Sequence, residues 1–217
     1  MIKGIIFDLD GTLLDTANDL QASINDVMKD YGLPTYTKTE VMQRVGNGFN
    51  NLLHKCLPGK DDDFVNEAVE KFKSYYSEQY YKTTVPYIGI KELVSLLKEK
   101  GYKLGVNSNK ADDYTKKLIT LNFDEFPLDC IIGERAGVNK KPDPIAVYEI
   151  MEKMGISDKN EILYIGDSSS DIKTAANAGV QGLTVTWGFR TVEQLKEAGA
   201  VNFAYSPQEI MDYILTH

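Results

Sequence analysis

Ile5-Ile6-Phe7-Asp8-Leu9-Asp10-Gly11-Thr12 decides how the chain folds and where its chemistry lies. Short apolar runs rich in β-branched and aromatic residues form buried strands. Alternate side chains of an extended segment point the same way. Asp8 and Asp10 therefore leave the carboxyl end of one strand together. Two carboxylates that close repel each other unless a proton or a cation sits between them. Mg2+ meets that demand, because it is hard, takes oxygen ligands and also binds phosphate oxygens. Asp before Gly is also ordinary turn chemistry, so this stretch has to be weighed against the rest of the chain.

Beyond it the pattern turns helical. Leu20, Ile24, Val27, Met28 and Tyr31 recur at steps of three and four until Gly32 and Pro34. Thr37 with Glu40 is a capping-box pattern, and Val41 and Val45 continue that helix to Gly46. A short helix is predicted over 49–57, and the acids Asp61-Asp62-Asp63 open a longer one, since negative charge favours a helix N-terminus. After Pro86 strands and helices alternate. Strands are predicted over 103–107, 130–132, 162–165 and 183–186, with Asp143 capping a helix that starts at Pro144. Such alternation gives right-handed βαβ units and a parallel sheet covered on both faces. The expected fold is α/β: a Rossmann-like parallel sheet core, residues 1–15 and 82–217, with an inserted all-helical cap domain, residues 16–81. Hinges are expected near Asp15-Thr16 and over 82–86.

Ligands of open parallel sheets bind beyond the carboxyl ends of the strands. Four segments there carry chemistry. Asp8 and Asp10 end the first strand. Asn107-Ser108-Asn109-Lys110 ends the second and offers a hydroxyl and N–H groups to an anion. Pro142 restricts Lys141, which aims one ammonium, whereas Lys140 is expected to be solvated. Asp167 and Asp171 follow Gly166 and, four apart at a helix start, can face one side. Each signal has a plain alternative in turn chemistry or in compensation of the helix dipole.

Composition narrows the partners. The 217 residues carry a formal net charge of −8 and are 42% hydrophobic and 26% charged, an ordinary globular balance. That charge disfavours nucleic acid bound through its backbone. The absence of a long apolar run argues against a membrane span, and no basic-then-apolar leader precedes the first strand, so a cytoplasmic location is expected. Two cysteines, Cys56 and Cys130, are expected to be free and buried. Two histidines, His54 and His217, are too few for a site built on several imidazoles.

These segments, in this order, resemble the four motifs of the haloacid dehalogenase superfamily, in its phosphatase branch. Ser108 stands where that family often has threonine and keeps the hydroxyl. The resemblance implies a nucleophile at Asp8, a general acid/base at Asp10, phosphate contacts from Ser108, Asn109 and Lys141, and Mg2+ held by Asp8, Asp10 (through its carbonyl), Asp167 and Asp171, the last as a ligand or as an organiser of ligands. It implies hydrolysis of a small phosphorylated metabolite through an aspartyl-phosphate. The helical insert and Val45-Gly46-Asn47-Gly48-Phe49 are similar to the phosphoglycolate phosphatase branch. Arg44, Gly46, Asn47 and Lys55 are candidates to meet the leaving group. A phosphosugar mutase, a pyrophosphatase and a nucleotide phosphatase are the alternatives, as a monomer or a homodimer. An ordinary carboxyl pKa near ~4 would leave Asp8 ionised at neutral pH. Asp10 has to be helped by its neighbours to hold a proton.

Overall fold

The computed structural model describes residues 1–217. Its central sheet has six parallel strands: β1 (Gly4–Phe7), β4 (Lys103–Ala111), β5 (Cys130–Glu134), β6 (Ile162–Gly166), β7 (Gln181–Val185) and β8 (Phe203–Ala204), in the order β5-β4-β1-β6-β7-β8. Strand β1 lies between β4 and β6, with Phe7 level with Val106 on one side and Ile165 on the other. The three strands that end in acids, hydroxyl and amides are thus neighbours.

The period of two along β1 explains the layers. Ile5 and Phe7 pack on one face with Leu93 and Leu97 of α5 (Ile90–Glu99) and Ile210 of α10 (Pro207–Thr216). Ile6 packs on the other with Val147 and Ile150 of α7 (Ile145–Met154) and Ala175 of α8 (Ser169–Ala178). All three β1 side chains are fully buried. Each contributes about 1.5–3 kcal/mol relative to exposure.

Between β1 and β4 the chain forms α1 (Ala17–Asp30), α2 (Lys38–Met42), α3 (Gly48–Cys56) and α4 (Asp62–Gln79). Their apolar faces, with Leu20, Ile24, Leu53, Phe72 and Tyr76, make a hydrophobic cluster of their own. Phe189, from the loop after β7, is packed into it. Thr37 and Glu40 form the capping box, and Asp61 accepts from the Phe64 N–H at the start of α4. The insertion enters and leaves through a short antiparallel pair, β2 (Leu14–Asp15) with β3 (Val85–Pro86). Beside it the buried Asp19 carboxylate accepts from the N–H and hydroxyl of both Thr83 and Thr84, at 2.6–3.1 Å.

Several expected boundaries move. Helix α2 stops at Met42 rather than running to Gly46. Pro144, not Asp143, is the cap residue of α7, although Asp143 Oδ1 still accepts from the Ile145 N–H at 3.0 Å. Strand β4 runs on to Ala111 with a register shift after Asn107. The extension was hidden because Asn107, Ser108, Asn109 and Lys110 are polar, yet all four are buried by what packs over them. Neither β8 nor the β2–β3 pair is long enough to show a periodicity. Cys56 and Cys130 are free and buried. No helix is long and apolar enough to cross a membrane.

Candidate active site

The carboxyl ends of β4, β1 and β6 open into one pocket beneath the inserted helices. Asp8, Asp10, Ser108, Lys141 and Asp167 line its floor, with Gly46, Gly48, Phe49 and Leu52 above. Its space is about 520 Å³, mouth included.

Three acids from distant parts of the chain meet there. One carboxylate oxygen each from Asp8, Asp167 and Asp171 lies within 4.8 Å of the others, and all three residues are buried. Lys141 Nζ stands between two of them, 2.7 Å from Asp8 Oδ1 and 2.8 Å from Asp171 Oδ1. One ammonium does not balance three carboxylates. Burial first, then the Asp171 charge, pushes Asp8 well above the usual carboxylate range against the pull of Lys141. The same two causes push Asp167 up to about 7, opposed by the Phe189 N–H and Arg190. Burial works against the charge on Lys141, but Asp171 and Asp8 more than offset it and raise its pKa. The ordinary carboxyl value expected for Asp8 therefore does not apply to the protein's own groups alone. A divalent cation among these oxygens removes the conflict, and hard oxygen donors are what Mg2+ takes.

Space for the acids is provided by glycine. An added Cβ at Gly11 or at Gly188 would lie 2.3 Å from the Asp167 carboxylate. Gly11 also has φ +86°, in the left-handed region. A Cβ at Gly166 would meet Asp171 at 2.3 Å. Asp167 Oδ2 accepts from the Phe189 N–H at 2.6 Å. Asp171 is more heavily engaged: Oδ1 accepts from Lys141 and from the Tyr164 hydroxyl at 3.3 Å, and Oδ2 from the N–H and hydroxyl of Ser168.

Asp10 stands outside this trio. Its Oδ1 accepts from the Thr16 hydroxyl at 2.6 Å and lies 3.1 Å from Lys110 Nζ. The Lys110 side chain is 1% exposed. Burial would lower its pKa, but Asp10 and the Tyr76 hydroxyl outweigh burial and raise it.

The remaining candidates separate. Ser108 Oγ accepts from the Lys110 N–H at 3.1 Å and lines the pocket. Asn109 lines it too, but its amide is occupied: Oδ1 accepts from the Lys141 N–H at 2.9 Å, and Nδ2 donates to the carbonyls of Gly46 at 2.9 Å and Lys141 at 3.3 Å. Its side chain positions Lys141 and the insertion. Arg44 is a correction. It lies outside the pocket lining, with its guanidinium on the Glu40 and Lys55 carbonyls and over the Tyr36 ring. Lys55 is turned the same way, onto the Arg44 carbonyl. Asn47 is also off the lining, and its carbonyl accepts from Lys140 Nζ at 3.0 Å. Lys140 is exposed, as expected, and its ammonium also bridges the Asn47 carbonyl and Glu134. Arg44 looked apt because a cation near the Gly46 loop faces the right way in sequence. The helix end turns it to the outer surface.

Two pocket cations were missed, Lys110 and Arg190. Arg190 donates through Nη1 to the Met42 carbonyl and through Nη2 to the Val45 carbonyl, at 2.5 and 2.6 Å. The available signals were a lysine directly after Ser108-Asn109 and a Gly-Phe-Arg run just past a strand.

This arrangement has relatives. The sequence model of the haloacid dehalogenase-like hydrolases matches residues 5–185. The chain is 36% identical to a phosphoglycolate phosphatase of Aquifex aeolicus over 87% of its own length and 86% of the relative's. It is 31% identical to a phosphoglycolate phosphatase of Vibrio vulnificus over 99% and 96%. Its fold superposes on a Lactobacillus delbrueckii crystal structure, provisionally named a phosphoglycolate phosphatase, with a TM-score of 0.90 and 30% identity over 98% of each chain. The chain belongs to the haloacid dehalogenase-like hydrolase family. Within it, the chain is a phosphatase.

Proposed function

We propose that this phosphatase hydrolyses phosphoglycolate, with Asp8 as nucleophile. The observation that carries the reading is the Asp8 carboxylate on the pocket floor, 2.7 Å from Lys141 Nζ and grouped with Asp167 and Asp171. The names of the relatives supply the substrate. Asp8 and Asp167 would hold Mg2+, together with the Asp10 carbonyl. Asp171, with both oxygens already engaged, organises Lys141 and Ser168. Bound Mg2+ neutralises the acids and the charge on the phosphoryl oxygens.

The protein's own groups perform the rest. An Asp8 oxygen attacks phosphorus in line, the Asp8–phosphorus bond forms, and the bond to the leaving oxygen breaks. Asp10 gives that oxygen its proton. Water then attacks the aspartyl-phosphate, Asp10 takes a proton from it, and inorganic phosphate leaves with Asp8 restored. Ser108 and Lys141 hold the phosphoryl oxygens throughout.

Residues 16–81 act as a cap that opens for substrate and closes to exclude water, hinged at the β2–β3 pair. The partner is a small phosphorylated metabolite. The net charge of −8 sets nucleic acid aside as a partner, and the protein works in the cytoplasm as a monomer or homodimer. Release of inorganic phosphate from 2-phosphoglycolate, with and without Mg2+, tests the reading. A panel of pyrophosphate, nucleoside monophosphates and hexose phosphates accompanies it. Faster turnover of any panel member, or isomerisation of a hexose phosphate, replaces it.

A further inference from the structure

We propose that Lys110 is the specificity-determining cation of the pocket: it takes the carboxylate of a phosphorylated hydroxy acid at the place where Asp10 meets the leaving oxygen. The inference rests on the phosphoglycolate reading and goes beyond it by assigning the residue that recognises the acid.

Three cations line the pocket, and two are committed. Lys141 lies between Asp8 and Asp171 at 2.7 and 2.8 Å. Arg190 spends both Nη atoms on cap carbonyls. Lys110 has one charged partner, Asp10 Oδ1 at 3.1 Å. An ammonium carries three donors. The Tyr76 and Phe49 rings close over it at 5.0 and 5.7 Å from their centroids, and both belong to the insertion. The Tyr76 hydroxyl is a neutral partner and aromatic faces attract a cation, but neither supplies a second negative acceptor.

Substrate chemistry places such an acceptor there. In a 2-phosphorylated hydroxy acid, one carbon separates the leaving oxygen from the carboxylate carbon. Two bonds of about 1.5 Å put them roughly 2.5 Å apart. The leaving oxygen has to reach Asp10 to receive its proton. A carboxylate that close to the leaving oxygen arrives beside the group that already pairs with Asp10. Closing Phe49 and Tyr76 over the ammonium and the carboxylate removes water from them and strengthens the contact. A leaving group without the carboxylate leaves the ammonium with no second charged partner. Sites that bury a polar group for one substrate discriminate strongly against an analogue lacking its partner.

The test compares phosphoglycolate with ethyl phosphate, which lacks the carboxylate, in the wild type and in Lys110→Met. The expected result is a wild-type preference for phosphoglycolate in kcat/KM that falls by roughly 30-fold or more in the variant. Most of that loss should lie in KM and kcat for phosphoglycolate alone. Equal losses on both substrates overturn the proposal, because a lysine that only positions Asp10 or grips the phosphoryl group affects both alike. A wild type with no preference for phosphoglycolate overturns the substrate reading itself, which is a separate result. A measurement on the wild type alone covers a variant that fails to fold. Phosphoglycolamide, the neutral isostere, should be turned over at least about 30-fold less efficiently than phosphoglycolate, and equal efficiency overturns the assignment.

Discussion

The backbone N–H of Phe189 donates to Asp167 Oδ2 at 2.6 Å, while the Phe189 ring is packed into the hydrophobic cluster of the inserted helices. One residue therefore touches both the acidic trio and the layer above it. Its neighbour Arg190 adds two hydrogen bonds to the carbonyls of Met42 and Val45. The loop after β7 is thus the mechanical link between the acids and the insertion.

Breaking that link should loosen the insertion while every acid side chain and the Phe189 N–H remain. Arg190→Ala removes two charge-assisted hydrogen bonds of about 1.5–3 kcal/mol each. We expect kcat/KM to fall about tenfold or more and amide exchange across residues 38–48 to speed up. Unchanged exchange there would mean that the guanidinium does not hold the insertion down.

Asp8→Asn tests the nucleophile. An amide of the same shape cannot form the aspartyl-phosphate, so phosphate release should fall by at least about 10³-fold. The variant also removes one of three mutually repelling buried acids, so its thermal midpoint should be no lower than that of the wild type. Metal-dependent turnover that survives the change would exclude Asp8.

Gly188→Ala puts a Cβ 2.3 Å from the Asp167 carboxylate. The acid has to swing away or the loop has to shift. Mg2+ affinity should drop roughly 10–100-fold. It can be followed by the rise in thermal midpoint with added Mg2+, a readout independent of turnover. An unchanged Mg2+ titration would show that Asp167 is not a ligand.

Stability of the metal-free protein should depend on pH in an unusual direction. Asp167 sits at about 7 in the fold, against an ordinary 3.8, and Asp8 is also raised. Between those values the folded protein holds protons that the unfolded chain has released. Stability is then fully present below about pH 4 for these groups and is lost as pH rises toward 7 and above. The urea midpoint of metal-free protein should fall over that range, and saturating Mg2+ should restore it near pH 7. Asp167→Asn should flatten the slope, and an equal slope in that variant would place the effect elsewhere.

The α/β class and the order of elements were legible because they rest on local periodicity. Ile5-Ile6-Phe7 is a buried strand by composition, and the insertion shows its three-and-four spacing from Leu20 onward. The candidates also carried local signals: Asp8, Ser108 and Asp167 come just after apolar strand residues, Lys141 precedes Pro142, and Asp171 falls in the first turn of a helix. What the sequence could not specify is how much charge shares one buried volume. The pKa of Asp8 depends on Asp171, which is far away in sequence, and on burial that exists only once the sheet and insertion close. Lys110 and Arg190 were given no role because a side chain's environment is set by what packs over it, not by its neighbours in the chain. Arg44 failed in the opposite sense, since the turn at the end of α2 faces it outward. Periodicity determines elements because it is a property of adjacent residues. The pairing of charges is decided by tertiary structure, because electrostatic energy depends on distance and desolvation across the whole fold.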